Sequence, residues 1–278
     1  MTIVYAHRGA SARFPEHTRV AYEQAVADGA DGVECDVHLT ADGEVVLIHD
    51  ATLDRTSDAT GPVSARTLAE LRDLDVWSWK GVALPDGALL ADQLLTLDDL
   101  LDLLLGAGRP IGLAVELKHE ARGEPPALEN AVLAVFERRG WDAAAGRLAT
   151  VDVSFMSFDA EAVGYLLRRV PGRHLCQLVA VGHTAGTERL DDGSVGIAGP
   201  GLDYLAASPA RVRAWLAAGA LARVWTIDTA ADLQVCLDLG VQEITTNDPS
   251  GIRALLAGAR GGRLGMAGQE PDRRPPRW

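Results

Sequence analysis

Glu34 and Asp36 stand two residues apart inside an apolar run over residues 32–39. In a strand, side chains two apart share a face, so both carboxylates point one way while Cys35 and Val37 point the other. Glu116 and Lys118 repeat the spacing at the end of a second apolar run, 111–118. Three carboxylates brought to one place repel one another and are driven toward protonation unless a cation shares the site. Oxygen donors of this kind select a hard ion, Mg²⁺ or Ca²⁺, over Zn²⁺. The spacing alone serves equally well a structural ion network in which the carboxylates pair with Arg8 and Lys118. His7 and His49, each closing an apolar run, add two groups able to give and take protons near neutral pH. Arg8 and Lys118 supply positive charge suited to an anion. Hard cation, acid, base and cationic clamp together describe phosphoryl transfer. Enolisation at a carboxylate-rich site is the competing chemistry, which uses a similar metal but does not need paired histidines.

The elements that would carry these residues alternate. Apolar runs predict strands at 3–6, 32–39, 44–48, 111–118, 151–155, 175–180, 202–206, 222–227 and 243–246. Asp42-Gly43 is turn chemistry between the second and third of them. Amphipathic stretches predict helices at 18–28, 67–74, 126–139, 209–218 and 230–239. Strands alternating with helices imply βα units and a parallel sheet. About eight such units in 278 residues fit a (β/α)8 TIM barrel better than a doubly wound sheet, which more often carries a Gly-rich dinucleotide turn. Active sites of such barrels lie at the C-terminal ends of the strands. His7 and Arg8, Glu34 and Asp36, His49 and Asp50, Glu116 and Lys118, and Asn247 and Asp248 fall at those ends. Residues 51–95 break the rhythm and read as an insertion after the second strand, over the barrel mouth, with Trp77 and Trp79 packing it down. Residues 1–258 form one catalytic barrel on this reading. The tail, 259–278, is rich in Gly, Pro and Arg and reads as a disordered end.

Composition narrows the partners. With 26 basic and 39 acidic residues the formal charge is −13, which argues against nucleic acid or an anionic membrane as the main partner. A chain with 47% hydrophobic and 23% charged residues is not wholly disordered. Its 3 cysteines, odd in number and far apart, make neither a CxxC pair nor a disulfide framework and fit a reducing compartment. The first residues lack the basic start and long apolar stretch of a leader. The Leu-rich stretch 94–105 is cut by Asp98, Asp99 and Asp102 and is too short and charged to span a bilayer. The expectation is a cytoplasmic protein acting on a small molecule, with no stable membrane anchor; the oligomeric state is not legible.

The ordered motifs Ala-His-Arg-Gly-Ala from Ala6, Phe-Pro-Glu-His-Thr from Phe14 and Gly-Val-Glu-Cys-Asp-Val from Gly32 resemble those of the glycerophosphodiester phosphodiesterases. So do Leu-Ile-His-Asp from Leu47, Leu-Asp-Arg-Thr from Leu53 and Val-Glu-Leu-Lys from Val115. The resemblance thins in the middle, where Met-Ser-Phe-Asp at Met156 is its best anchor. It returns at Val-Trp-Thr-Ile-Asp from Val224 and Thr-Thr-Asn-Asp-Pro from Thr245. It implies a (β/α)8 barrel with an insertion after the second strand and metal-dependent hydrolysis of glycerophosphodiesters to glycerol 3-phosphate and an alcohol. It also implies one divalent cation, Mg²⁺ or Ca²⁺, on Glu34, Asp36 and Glu116. Acid/base catalysis falls on His7 and His49, phosphate contact on Arg8 and Lys118, and glycerol contact on Trp225. Glu16 matches a glutamate that either ligates the metal or supports His7 or Arg8 from behind.

The chain departs from the family pattern in places. His17 stands where Asn is usual, and Asp228 where Asn is more usual after Trp-Thr. Residues 181–201 match nothing in the pattern. His38 shares a face with Asp36 but reads as solvated. Two other functions fit the same residues: a lysophospholipase D-type activity on longer lipids, and a barrel that binds phosphodiesters without turning them over.

Overall fold

The computed structural model describes residues 2–119 and 126–261. In chain order its elements begin β1 (Ile3–His7), α1 (Arg19–Ala27), β2 (Gly32–Leu39), β3 (Val45–Leu47), α2 (Leu68–Arg72), α3 (Leu97–Leu105) and β4 (Ile111–Leu117). They continue α4 (Ala127–Arg138), β5 (Arg147–Leu148), β6 (Val151–Ser157), α5 (Ala160–Leu166), β7 (Leu175–Val179), α6 (Thr187–Asp191) and β8 (Ile197–Pro200). The chain ends with α7 (Leu202–Ala207), α8 (Pro209–Ala217), β9 (Leu221–Val224), α9 (Ala230–Leu239), β10 (Glu243–Thr246) and α10 (Pro249–Gly261).

Strands β1, β2, β4, β6, β7, β8, β9 and β10 pair in parallel in that order, and β10 returns to β1. The result is a closed eight-stranded TIM barrel with helices between its strands. β3 folds back antiparallel on β2, pairing Val37 with Leu47, and β5 does the same on β6. Alternation sorts the side chains as pleating requires. Val33, Cys35 and Val37 of β2 face outward into the main apolar core, with Leu100 and Leu104 of α3 and Phe136 of α4. The barrel interior holds a separate cluster that includes Tyr5, Ala114, Met156, Cys176 and Leu178. Thr96 starts α3 with a reciprocal cap: its Oγ1 accepts from the Asp99 N–H, and the Asp99 carboxylate accepts from the Thr96 N–H.

The N-terminal end of the barrel is filled. A Cβ at Gly32 would lie 2.4 Å from the Tyr5 ring, and one at Gly112 would lie 2.6 Å from its hydroxyl, so glycine at both positions makes room for the tyrosine. The Arg223 guanidinium lies over that ring, 4.2 Å from its centroid. It donates through Nε to Glu243 (2.7 Å) and through a terminal nitrogen to Ser154 Oγ (2.9 Å).

One expectation is corrected. Residues 202–206 are not a strand but lie in α7, where Leu202 and Leu205 share a helical face. The strand in that place is β8, inside the stretch 181–201 that the motif pattern did not reach. Its sequence, Ile-Ala-Gly-Pro, contains two residues that ordinarily break strands, and only its position at the end of the ladder admits the proline. The expected tail lies outside the described residues from 262 onward. Between β3 and α3, residues 51–95 contribute Leu53, Val63, Leu71 and Leu94 to a satellite core completed by Val46 and Ile48. Trp77 is buried there, 6.1 Å from the Phe14 ring, and Lys80 Nζ donates to the Ser11 carbonyl (2.8 Å). Among the described residues, no helix is long and apolar enough to cross a membrane.

Candidate active site

The ladder brings the polar strand ends together. β1 and β2 pair His7 with Glu34, and β2 and β4 pair Asp36 with Glu116. Glu34, Asp36 and Glu116 are all buried, and each offers an oxygen within 4.8 Å of the others. Glu34 Oε2 accepts from the Arg8 backbone N–H (3.1 Å) and lies 4.0 Å from His7 Nε2. Its other oxygen is buried and accepts no hydrogen bond from the described residues. Asp36 is held by Arg8 Nε (2.9 Å), Lys118 Nζ (3.0 Å) and His17 Nε2 (2.9 Å). Lys118 Nζ also pairs with Glu116 (2.6 Å).

Burial and the Asp36 charge push the Glu34 carboxyl well above the usual carboxylate range. Burial likewise lifts Glu116 to about 7 against the opposing pull of Lys118, whereas Lys118 and Arg8 overcome burial and hold Asp36 well below its ordinary value. Two carboxyls strained toward neutrality and an unpartnered buried oxygen are what a cluster of anions looks like with too little positive charge. The donor set, carboxylate oxygens alone, fits a hard divalent ion.

Arg8 adopts a positive φ of 57° and His17 one of 63°, conformations that cost non-glycine residues and that the packing around the β1–α1 turn imposes. Gly9 makes that turn possible. Its own φ is 85°, and a Cβ there would lie 2.7 Å from the Ala21 backbone. Arg8 thereby reaches back over the carboxylates and donates to Glu16 Oε1 (2.9 Å). Glu16 is also gripped by both terminal nitrogens of Arg55 (2.8 Å each). It therefore sits beside the cations and outside the carboxylate cluster.

The two histidines have different partners. His7 Nδ1 lies 2.8 Å from Asn247 Oδ1, and burial with the Arg8 charge pushes its pKa down to about 3. His49 Nδ1 lies 2.6 Å from Asp50 Oδ1, and burial pushes its pKa down to about 4 despite that carboxylate. Asp50 is tied in turn to Arg55 Nε (2.6 Å), so a chain of charges runs His49, Asp50, Arg55, Glu16, Arg8. A cleft of about 570 Å³ opens beside His7, Arg8, Ser11, Glu16, Lys80 and Asn247. Trp225 stands apart from the carboxylates. It is half-buried, donates to the Gly199 carbonyl (2.9 Å) and meets Phe158 edge to face at 5.6 Å.

His38 is buried, not solvated, and donates to the His49 carbonyl (3.2 Å). His119 Nε2 lies 3.1 Å from Glu129 Oε1. The sequence places Asp50 and Asn247 at strand ends, Asp228 as a departure and Arg55 within a motif, but gives none of the four a task. The adjacency of His49 and Asp50 was a readable signal; the contacts of Arg55 and Asn247 span 39 and 240 residues and were not.

A closed parallel barrel whose charged side chains gather at the C-terminal strand ends is the architecture of TIM-barrel enzymes. Over residues 7–250 the chain matches the Glycerophosphoryl diester phosphodiesterase family, and it belongs to that family. A probable glycerophosphodiester phosphodiesterase of Mycobacterium tuberculosis is 41% identical to it over 261 residues, 92% of this chain and 93% of the relative. A glycerophosphodiester phosphodiesterase of Bacillus subtilis is 31% identical over 255 residues, 89% of this chain and 84% of the relative. Among solved structures, a phosphodiesterase of Oleispira antarctica in complex with the product sn-glycerol-3-phosphate superposes with a TM-score of 0.77. It is 26% identical, with 92% of this chain and 97% of that one covered.

Proposed function

We propose that this chain hydrolyses glycerophosphodiesters to glycerol 3-phosphate and an alcohol with the help of one divalent cation. The observation that carries the reading is the carboxylate cluster Glu34, Asp36 and Glu116, flanked by His7, Arg8 and Lys118 on neighbouring strand ends. Glu34, Asp36 and Glu116 would hold the cation, Mg²⁺ or Ca²⁺. Bound there, such an ion supplies charge neutralisation for the carboxylates and polarisation of the phosphorus.

The chain's own residues do the rest. Arg8 and Lys118 bind phosphate oxygens and stabilise the negative charge that grows on them in the transition state. Both are paired with Asp36 in the resting arrangement, so anion binding redistributes bonds they already make. His7 faces a neutral amide and serves as the base that takes the proton of the attacking oxygen. His49 faces the Asp50 carboxylate, which favours its protonated form, and serves as the acid that protonates the leaving alcohol. A phosphodiester entering beside them brings a negative charge that raises both imidazole pKa values from their resting positions. The attacking oxygen is a hydroxyl of the substrate, and the cyclic phosphate it forms is then opened by water. Trp225 packs against the glycerol side, and Glu16 keeps Arg8 in place.

The test is release of glycerol 3-phosphate from glycerophosphocholine and glycerophosphoethanolamine by metal-stripped protein, with Mg²⁺ or Ca²⁺ added back. Release that depends on the ion supports the reading and identifies the metal. Binding of the diester without product, in folded and metal-loaded protein, would replace hydrolysis with a binding role.

A further inference from the structure

A departure at position 228 gains a meaning from the network around it. The Asp228 carboxylate accepts three hydrogen bonds at the end of the barrel. Its Oδ1 takes the Asn247 backbone N–H (2.8 Å) and the Thr246 hydroxyl (3.0 Å); its Oδ2 takes the Asn247 side-chain Nδ2 (2.6 Å). The Thr246 oxygen already accepts from the Asp248 N–H (3.1 Å), so its hydroxyl proton is left for Asp228. With its Nδ2 committed to the carboxylate, Asn247 must turn its Oδ1 toward His7 Nδ1 (2.8 Å) and Ser11 Oγ (2.8 Å). An oxygen there can only accept, so His7 carries its proton on Nδ1 and leaves Nε2 as a lone pair on the side of Glu34 (4.0 Å).

Ser11 by itself leans toward the flipped amide, because its single proton cannot serve both the His7 carbonyl and Asn247 Oδ1. Its hydroxyl lies 2.7 Å from the His7 carbonyl and 2.8 Å from Asn247 Oδ1, so it can donate to the first while accepting from a flipped amide. Among the described residues, the Asp228 carboxylate overrides it, because a flip would set the amide oxygen against a charged oxygen at 2.6 Å. We infer that Asp228 is a positioning residue, which acts through Asn247 to fix His7 as the tautomer with Nε2 open to accept a proton. The catalytic consequence rests on the proposed role of His7 as the base; the tautomer itself does not.

One isosteric change inverts the set. In Asp228→Asn the Oδ1 position must stay an oxygen, because two donors point at it. The new amide nitrogen therefore falls opposite Asn247 Nδ2, donor against donor. Asn247 turns over, presents Nδ2 to His7 Nδ1, and drives the ring proton to Nε2. The double variant D228N/N247D restores the order: the amide introduced at position 228 donates to one oxygen of the carboxylate introduced at position 247, and the other oxygen of that carboxylate accepts from His7 Nδ1–H.

The experiment reads the imidazole ¹⁵N shifts of His7 in the full-length histidine-labelled protein at pH 8, assigned by loss of the signal in H7Q. The same preparations give kcat and KM with glycerophosphocholine and added divalent metal. The inference expects Nδ1–H in the wild type, Nε2–H in D228N and Nδ1–H again in the double variant. It also expects kcat to fall roughly 10- to 100-fold in D228N, as for other groups that orient a working ligand, with KM within about twofold and recovery in the double variant. Nε2–H in the wild type, or Nδ1–H kept in D228N, overturns it. The wild-type spectrum decides even if D228N fails to fold. A tautomer that switches while turnover does not change upholds the inference and removes His7 from the mechanism.

Discussion

His7 and His49 are two imidazoles that meet different neighbours, an amide oxygen and a carboxylate, and the proposed reaction gives them opposite tasks. Replacing either with alanine should lower kcat by two to four orders of magnitude, the span of general acid–base catalysis, as read by steady-state release of glycerol 3-phosphate. A variant that keeps near-normal turnover loses its place in the reaction. Glu34 makes a second residue-scale case. Its unpartnered buried oxygen and raised pKa mark the carboxyl most in need of a cation. In the wild type, a divalent ion at 100 times its dissociation constant should stabilise the fold by about 2.7 kcal/mol. Glu34→Gln should lose most of that gain, as measured by thermal melting with and without the ion. These residues were legible because strand alternation puts Glu34 beside Asp36 on one face and because His7, His49 and Lys118 close apolar runs. Asn247 was legible as a strand-end residue and Asp228 as a departure, but not what either does. Their use depends on which atom of an amide faces which neighbour, and no spacing in a sequence encodes that.

The elements that carry the site were mostly readable, and the exceptions share a cause. β2 and β10 have the bounds that their apolar runs give, because buried parallel strands are continuous apolar stretches. β8 was hidden because a four-residue strand ending in Gly-Pro owes its conformation to β7 and β9 on either side. α7 was misread because a short apolar segment fits either period. α3 illustrates the opposite extreme, a helix whose start is written locally. Thr96→Ala removes the hydroxyl half of the cap and should cost about 1 kcal/mol, visible as a lower denaturant midpoint with an unchanged slope. No change in the midpoint would mean that packing of the leucine face alone sets the start of the helix.

Across the whole molecule, the two ends of the barrel are given to different purposes. The C-terminal end concentrates charge that the fold tolerates poorly. The N-terminal end buries a guanidinium that is matched by Glu243, Ser154 and the face of Tyr5. Removing the carboxylate strands that cation, and Glu243→Ala should cost about 3 kcal/mol or more in urea unfolding. A cost below about 1 kcal/mol would show that water reaches Arg223. The filled floor also governs traffic. With Tyr5 seated in the spaces that Gly32 and Gly112 leave, the floor is closed at that point, and on the proposed function substrate, water and products would pass through the cleft at the charged end. On the proposed roles of Arg8 and Lys118, a glycerol 3-phosphate left between them would stand in the doorway of the next diester, so accumulated product would slow turnover by simple queueing, without any separate regulatory site.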